Sequence, residues 1–416
     1  MEQLIEKAIL VGLNTKIFDK TQNSTNETLD ELEALLETAG GTCVCKVLQN
    51  LPTPNTKTFI GEGKLFEIIE LCKTYEADLI VFDNELSPSQ IRNLEDITGL
   101  VIIDRSNLIL DIFAKRAISL EGKMQVELAQ YKYILPRLLG LGKSMSRLGG
   151  GIGTRGPGES KLESDRRHIR RRIEKLESDL KEVSLTRETM RRSRTKSEIP
   201  LVSIVGYTNA GKSTLLNLLT NASIHANDRL FDTLDTTTRK LRVSDTLEVF
   251  MSDTVGFIRK LPHHLVNAFR ATLEELAYSD ILLHVVDVSN PEYLEHMDTV
   301  LDVIKKLKAD HIKIITVFNK YDLCEEIIIP EDLENFVYIS AKTSMGIDDL
   351  LLRIEQTLGK GQHHITIVVP FCDGFVIDNL YKTSKIEILD YVDTGTVIKV
   401  LCDDATYGKI SKYEQK

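Results

Sequence analysis

Short apolar runs alternate with amphipathic stretches over the first hundred residues. Apolar runs at residues 9–12, 43–48, 78–82 and 101–103 predict four strands. Helical periodicity at 28–36 and 65–75 separates them, and Ser87-Pro88 supplies an N-cap and a first-turn proline for a third helix. Strands that alternate with helices predict a small, mostly parallel sheet. We therefore expect an α/β domain over residues 1–106.

The pattern changes to long helical stripes after residue 107. Apolar residues recur at steps of three and four from Phe113 to Leu135, and again from Leu162 to Met190. Two long helices forming an antiparallel hairpin would bury both stripes, over residues 107–197. Between them, six glycines in the ten positions 149–158 predict a loop, because glycine disfavours a helix.

A glycine-bounded loop between a strand and a helix dominates the second half. An apolar run at 201–205 leads into Gly206, Tyr207, Thr208, Asn209, Ala210, Gly211, Lys212, Ser213 and Thr214, and leucines at helical spacing follow. This context predicts a phosphate loop whose backbone N–H groups surround a β-phosphate at a helix N-terminus. Lys212 would reach the β- and γ-phosphates, and Ser213 would hold Mg²⁺.

Three further motifs follow in the order that a GTP site requires. Asp253 is placed to hold Mg²⁺ through a water, and the Gly256 N–H to sense the γ-phosphate. The Asp322 carboxylate can accept hydrogen bonds from guanine N1–H and the 2-amino group, neither of which adenine offers. The motif residues are Asp253, Thr254, Val255 and Gly256, then Asn319, Lys320, Tyr321 and Asp322, then Ser340, Ala341 and Lys342. We expect this GTP-binding domain to cover residues 198–360.

The switch segment and the water-positioning residue are less typical. Phe231, Asp232, Thr233, Leu234 and Asp235 begin a threonine-rich stretch in which any of four hydroxyls could reach Mg²⁺. Phe257 follows Gly256, where many GTPases carry a glutamine that orients water. A phenyl ring cannot hydrogen-bond a water molecule. Slow intrinsic hydrolysis is therefore expected unless something else completes the site.

Charge is distributed unevenly along the chain. With 62 acidic and 52 basic residues the net charge is −10, which argues against indiscriminate binding to nucleic acid or anionic membranes. Residues 137–175 carry eleven basic and four acidic side chains, a local charge of +7. A basic, glycine-rich tip predicts contact with an RNA backbone, and the alternative is a solvated tip whose arginines pair with neighbouring acids. The candidate RNA contacts are Arg147, Arg155, Lys161, Arg166 and Arg167.

Other features set the compartment. No apolar run approaches the roughly 18 residues of a membrane span, so a cytoplasmic protein with at most peripheral membrane association is expected. The six cysteines are scattered, which fits free thiols better than a disulfide framework.

The motifs together resemble the HflX family of translation-factor-related GTPases. The resemblance rests on GYTNAGKST, FDTLDTTTR, DTVGFIRKLPHHLV, NKYD and SAK, and outside the GTPase domain on RLGGGIGTRGPGESKLESDRRHI. It implies a ribosome-associated GTPase that binds the large ribosomal subunit and its rRNA and splits stalled or idle ribosomes under stress. It also implies that Thr233 binds Mg²⁺ together with Ser213. The catalytic set would be Lys212, Thr233, Asp253 and Gly256.

Several expectations stay open beside this resemblance. Asn209 resembles the asparagine that holds K⁺ in some GTPases lacking the glutamine, although an asparagine that only tolerates the loop geometry is equally compatible. A GTPase for ribosome assembly or RNA modification is an alternative function, as is an RNA-binding module with a slow, mainly structural nucleotide site. The last segment, 361–416, reads as a strand, a helix and two strands, a small α+β domain. A monomer is the simplest state.

Overall fold

The computed structural model describes residues 6–18, 22–138, 157–194, 199–220, 231, 238–244, 247–254, 256–260, 274–324, 326–331, 333–359, 363–402 and 404–414. Three separate sheets organise this part of the chain, with four, six and three strands. The predicted α/β class is confirmed. No helix in the described ranges is both long enough and apolar enough to cross a membrane.

The first sheet is parallel throughout, in the strand order β2-β1-β3-β4. Its elements are β1 (Lys7–Thr15), α1 (Asn26–Ala39), β2 (Thr42–Leu51), α2 (Glu62–Tyr75), β3 (Leu79–Phe82), α3 (Pro88–Thr98) and β4 (Val101–Asp104). Ser87 caps α3 through a capping box with Gln90, and Pro88 occupies the first turn as predicted. Because the four strands are parallel, their carboxyl ends lie at the same edge of the sheet. Asp83 directly follows β3 there, and Asp104 is the last residue of β4.

The first of the two predicted long helices, whose apolar stripe runs from Phe113 to Leu135, is divided into two helices in the structure. These are α4 (Arg105–Arg116) and α5 (Leu120–Leu138). The backbone turns extended at Ala117, and the Ser119 hydroxyl accepts the Gly122 N–H at 2.9 Å, which starts a new helix. Because this break shifts the phase of the apolar stripe, Leu120 is 74% exposed while Tyr133 is buried.

The second long helix, α6 (Pro157–Arg194), begins inside the predicted glycine-rich loop. Proline suits a first helical turn, so the start at Pro157 is compatible with Gly158 after it. Helices α5 and α6 pack together, joined by Arg172 to Glu127 at 2.8 Å and Lys132 to Glu177 at 2.6 Å. Along α6, Leu176 is the buried residue of the predicted stripe among those whose side chains are described.

The second sheet has the strand order β10-β9-β8-β5-β7-β6, parallel except for the edge strand β6. Its elements are β5 (Leu201–Gly206), α7 (Lys212–Thr220), β6 (Thr238–Arg242), β7 (Glu248–Asp253), β8 (Ile281–Asp287), α8 (Tyr293–Lys306), β9 (Lys313–Asn319), β10 (Phe336–Tyr338) and α9 (Ile347–Leu358). The central strands β5 and β8 are almost wholly buried, in keeping with their mostly apolar sequences, which Ser203 and His284 interrupt.

A small antiparallel sheet ends the chain. Strands β11 (His363–Val369), β12 (Lys385–Val392) and β13 (Gly395–Cys402) pair in the order β11-β13-β12, with α10 (Gly374–Thr383) and α11 (Asp404–Ile410) beside them. Strand, helix and two strands follow each other as the sequence predicts, and α11 is an addition. This sheet has its own apolar core around Ile367, Ile398 and Val400.

The first and second sheets share one hydrophobic core. Leu108, Ile112 and Phe113 of α4 belong to the same buried cluster as Phe257 and Leu276 of the second half. The Phe113 and Phe231 rings meet edge to face with centroids 4.7 Å apart. The predicted nucleotide domain thus packs directly against the N-terminal α/β domain.

Candidate nucleotide site

The loop from Gly206 to Ser213 has the backbone of a phosphate-binding turn. It leaves the central strand β5 and enters α7 at Lys212, so backbone N–H groups collect at a helix N-terminus. Asn209 and Gly211 adopt positive φ values of 61° and 92°. A Cβ at Gly211 would lie 2.2 Å from the Asn319 amide nitrogen, so this position requires glycine.

Lys212 lies inside the loop with its ammonium held close to the backbone. Its Nζ donates to the Tyr207 carbonyl oxygen at 2.8 Å, and the residue is 7% exposed. Burial lowers the pKa of Lys212 to about 8, although the Asp253 carboxylate acts in the opposite direction. A buried cation whose charge is only partly balanced is well suited to bind an anion, because a phosphate would supply the missing negative charge.

Ser213 and Asp253 come together beside Lys212. The Ser213 hydroxyl donates to Asp253 Oδ2 at 2.9 Å, and the Thr254 N–H donates to Asp253 Oδ1 at 2.9 Å. Strands β5 and β7 are neighbours, and Ile204 pairs with Asp253, which places this carboxylate next to the loop. Hydroxyl and carboxylate oxygens are the donors that Mg²⁺ prefers, so the pair fits a magnesium ion.

The segment after Asp253 folds back over the phosphate loop. The Thr208 N–H donates to the Phe257 carbonyl at 2.7 Å, and the Phe257 N–H donates to the Gly206 carbonyl at 3.1 Å. Gly256 then sits so close to the loop that a Cβ there would lie 2.8 Å from Thr208 Cγ2 and 3.0 Å from Lys212 Nζ. The Phe257 ring is 2% exposed and packs into the core shared by the two sheets.

Asn319 connects three loops at the end of β9. Its side-chain amide donates to the Ala210 carbonyl at 2.8 Å, and its Oδ1 accepts the Ala341 N–H at 3.0 Å. The residue is 2% exposed. One buried amide therefore fixes the phosphate loop, the Asn319–Asp322 turn and the Ser340–Lys342 turn relative to one another.

The remaining residues of those two turns are arranged around that amide. Lys320 has a left-handed backbone, with φ 62°, and its ammonium pairs with Asp287 at 2.7 Å. The Tyr321 N–H donates to the Ile339 carbonyl at 3.1 Å. Asp322 and Lys342 are exposed, whereas Ser340 is fully buried. The Asp322 carboxylate is thus open to a ligand at the surface of the turn.

Tyr207 makes contacts that its place in the loop motif does not predict. Its hydroxyl hydrogen-bonds the Glu31 carboxylate of α1 and accepts the Arg259 N–H at 2.7 Å. Its ring stacks on His296 with centroids 3.8 Å apart. Burial raises the pKa of Tyr207, and the negative charge of Glu31 raises it further. The phenol therefore stays protonated and donates to Glu31.

A buried charge cluster lies where this segment meets the N-terminal sheet. Asp83 accepts from Arg105 Nη1 at 2.8 Å and pairs with Lys260, while Arg105 Nη2 lies 2.6 Å from Glu31. Burial raises the pKa of Asp83, but the charges of Arg105 and then Lys260 outweigh it and hold that pKa below its usual value. The cluster joins residues that are 177 positions apart in the chain. In the sequence, Asp83 and Arg105 are single charges directly after strands, and Glu31 and Lys260 lie on a helix and in a loop.

Some predicted site residues lie outside the described residues. These are Asp232, Thr233, Leu234, Asp235, Val255, Arg147 and Arg155, and the side chain of Lys161 belongs with them. Phe231 is described, and its ring is buried against Phe113 of α4. On α6, Arg166 is half-buried and Arg167 is exposed.

Three protein-family models match consecutive parts of the chain. Residues 26–114 match the family described as GTP-binding GTPase N-terminal, 116–194 the GTP-binding GTPase middle region, and 201–320 the 50S ribosome-binding GTPase. GTPase HflX of Caldanaerobacter subterraneus subsp. tengcongensis is 48% identical over 408 residues, covering 97% of this chain and 94% of that protein. The chain belongs to the HflX family of GTPases.

A second HflX protein and a solved GTP-binding protein are also similar to this chain. GTPase HflX of Escherichia coli K12 is 43% identical over 387 residues, covering 92% of this chain and 90% of its own. A GTP-binding protein from Sulfolobus solfataricus, solved in complex with GDP, is 26% identical over 85% of this chain and 98% of its own, with a TM-score of 0.44. The family assignment makes this HflX-family chain a GTP-hydrolysing enzyme and confirms the resemblance drawn from the motifs.

Proposed function

We propose that this GTPase binds the large ribosomal subunit and splits stalled or idle ribosomes, using GTP to order its switch segments. The observation that carries the proposal is the match of residues 201–320 to a family described as 50S ribosome-binding GTPase. GTP would hold the two switch segments through Mg²⁺ and the γ-phosphate, and release of phosphate would free them. Ribosome binding would belong to the GTP state and departure to the GDP state.

The site residues receive the following roles in this proposal. The loop from Gly206 to Thr214 surrounds the phosphates, with the Lys212 ammonium on the β- and γ-oxygens. Ser213 and Asp253 would hold Mg²⁺, with Thr233 as a further ligand, and a bound Mg²⁺ would supply positive charge against the charge that develops on the phosphates. The hydrogen bond from Ser213 Oγ to Asp253 Oδ2, at 2.9 Å, supports a shared Mg²⁺ site for these two residues. The Gly256 N–H would sense the γ-phosphate beside Lys212, whose Nζ lies 3.0 Å from the position of a Cβ on Gly256.

Guanine selection is assigned to the Asn319–Asp322 and Ser340–Lys342 turns. The exposed Asp322 carboxylate would accept two hydrogen bonds from the base, and the Ala341 and Lys342 backbone would cover its edge. The buried Asn319 amide supports this role by holding both turns to the phosphate loop. ATP would leave the carboxylate unpaired, which is the basis of discrimination.

The ribosomal contact is assigned to the basic helical region. We propose domains at 1–106, 107–197, 198–360 and 361–416, with the second reaching ribosomal RNA through Arg147, Arg155, Lys161, Arg166 and Arg167. The +7 charge of residues 137–175 in a chain of net charge −10 supports this. Phosphate contacts of this kind would give binding that weakens as salt rises.

Sedimentation of ribosomes tests the splitting function. Purified ribosomes are mixed with the protein and GTP, a non-hydrolysable GTP analogue, or GDP, and the subunit and whole-ribosome peaks are compared. We expect splitting with GTP and with the analogue, and none with GDP. Unchanged whole-ribosome peaks in every nucleotide would contradict the proposal. The variant Lys212→Ala is the matched control, because it should lose the nucleotide-dependent effect and keep the basic helices.

A slow, mainly structural nucleotide site is the second candidate. Phe257 favours it, since its ring is buried in the core and cannot orient water. Under that alternative, the large subunit would bind the protein without stimulating GTP turnover.

A further inference from the structure

The Thr208 hydroxyl is a buried polar group with no hydrogen-bond partner in the part of the chain that the structure describes. Thr208 is 7% exposed, and its Oγ1 makes no hydrogen bond among the described residues. Neighbouring hydroxyls of the same site are bonded: Ser213 donates to Asp253 and Thr254 donates to the Ile204 carbonyl at 2.6 Å. Since buried hydroxyls are nearly always paired in native proteins, an unpaired one inside a ligand site indicates a partner supplied by the ligand.

Thr208 lies where the γ-phosphate chemistry is proposed to occur. Both its Cγ2 and the Lys212 Nζ fall within 3.0 Å of the position that a Cβ on Gly256 would take. The three residues therefore converge on one small region. The Thr208 backbone is fixed there, because its N–H donates to the Phe257 carbonyl at 2.7 Å. The methyl group faces Gly256, and a rotation of about 120° about the Cα–Cβ bond would bring the hydroxyl to the place that the methyl now takes.

The described side chain that follows Gly256 cannot orient water. The Phe257 ring is 2% exposed and packs in the core shared by the two sheets. The Phe257 backbone is hydrogen-bonded to Gly206 and Thr208. A hydroxyl can accept one hydrogen bond and donate another at the same time. Thr208 thus offers the two functions that the phenyl ring cannot.

We propose that Thr208 is a catalytic residue whose hydroxyl accepts a hydrogen bond from the attacking water and donates one to a γ-phosphate oxygen. This rests on the GTP-site assignment made above. In the step, the water oxygen forms a bond to the γ-phosphorus and the bond to the β–γ bridging oxygen breaks. The bridging electrons leave with GDP, and the water proton goes to the departing phosphate. Threonine orients the water and is unchanged at the end.

Two variants at this position separate the hydroxyl from the side-chain shape. Thr208→Val keeps the branched shape and removes the hydroxyl, and Thr208→Ser keeps the hydroxyl and removes the methyl. Single-turnover GTP hydrolysis is measured without ribosomes, and a fluorescent GDP analogue reports nucleotide affinity. We expect Thr208→Val to hydrolyse GTP at least about tenfold more slowly, with GDP affinity within about threefold, because it loses both transition-state hydrogen bonds of the hydroxyl. Thr208→Ser should stay within about threefold of the wild type, because its hydroxyl can still orient water.

Two results would overturn the proposal. Hydrolysis by Thr208→Val within twofold of the wild type would show that the hydroxyl is not used. A fall in Thr208→Ser as large as that in Thr208→Val would assign the effect to packing of the methyl group. The GDP titration of the wild type separates this proposal from the site assignment, because a failure to bind nucleotide would remove the site itself, whatever Thr208 does.

Discussion

Asp83→Asn probes the buried charge cluster that holds the segment after Gly256 to the N-terminal domain. The Asp83 side chain is fully buried and receives Arg105 Nη1 at 2.8 Å, the Ser24 hydroxyl at 2.6 Å and the Thr28 hydroxyl at 2.9 Å, besides the Lys260 ammonium. Asparagine keeps the size of the side chain and removes the charge. Arg105 retains Glu31, but Lys260 is left with the Ser24 hydroxyl at 3.1 Å.

The size of the effect follows from burial. Removing one partner of a buried ion pair costs about 3–5 kcal/mol, because the other charge stays away from water without compensation. Lys260 is that charge here, since its side chain is 9% exposed. The loss destabilises the closed state of segment 256–260, in which Lys260 already has a strained backbone with φ 53°. Local opening of this segment should become easier by roughly two to four orders of magnitude.

Native-state hydrogen exchange measures that opening directly. The Thr208 amide is a suitable reporter, because it is bonded to the Phe257 carbonyl of the same segment. Asp30→Asn is the matched control, since Asp30 is 66% exposed and its partner Lys46 keeps a contact with Glu33. An exposed pair contributes only about 0–1 kcal/mol. Equal exchange at the Thr208 amide in Asp83→Asn and Asp30→Asn would show that the Asp83 charge does not hold this segment closed.

Three further predictions concern the cluster, the base site and the cation. Because folding lowers the pKa of Asp83, its ionised carboxylate stabilises the folded state above the unfolded carboxyl pKa near ~4, and this stabilisation is lost as the pH falls through the lower folded pKa. Hydrogen exchange at the Thr208 amide, corrected for intrinsic rates, should therefore accelerate in acid. A corrected exchange rate that stays constant with pH until the protein unfolds would contradict this. Asp322→Asn should weaken GTP binding by about 10- to 100-fold, the worth of hydrogen bonds to a charged acceptor, and equal affinities in an equilibrium titration would remove Asp322 from base recognition. GTP turnover in K⁺ should exceed that in Na⁺ at equal ionic strength if the exposed Asn209 side chain holds the ion, and identical rates would exclude it.

Local sequence signals predicted the elements that carry the site. The four strands of the first sheet and β5 of the second had apolar runs, and the turn that follows β5 had the spacing of a phosphate loop. The edge strand β6, Thr238–Arg242, has a mostly charged sequence and gave no such signal. The Ser87-Pro88 start of α3 was also readable, because its capping box is formed by residues three apart. These features depend on neighbours in the chain, so a single sequence contains the information.

Features that depend on distant contacts were not predictable in the same way. The break at residues 117–119 is set by the Ser119 cap and by packing, and it shifted the stripe that periodicity had placed on one helix. The Tyr207 hydroxyl meets Glu31 across 176 positions. In the sequence, Glu31 was one charge on an amphipathic helix and Lys260 one more basic residue in a loop. Only the packing of the second sheet on the first gives them partners.

GTP turnover with and without purified large ribosomal subunits tests the central proposal most directly. The wild type is compared with a double charge reversal, Arg166→Glu with Arg167→Glu, at low and moderate salt. We expect slow turnover of the protein alone and strong stimulation by the subunits. Stimulation of the variant should be reduced, most evidently at moderate salt, because phosphate contacts are lost. Turnover that ignores the subunits in both salts would contradict a ribosome-dependent GTPase, and equal stimulation of the variant would remove these arginines from the RNA contact.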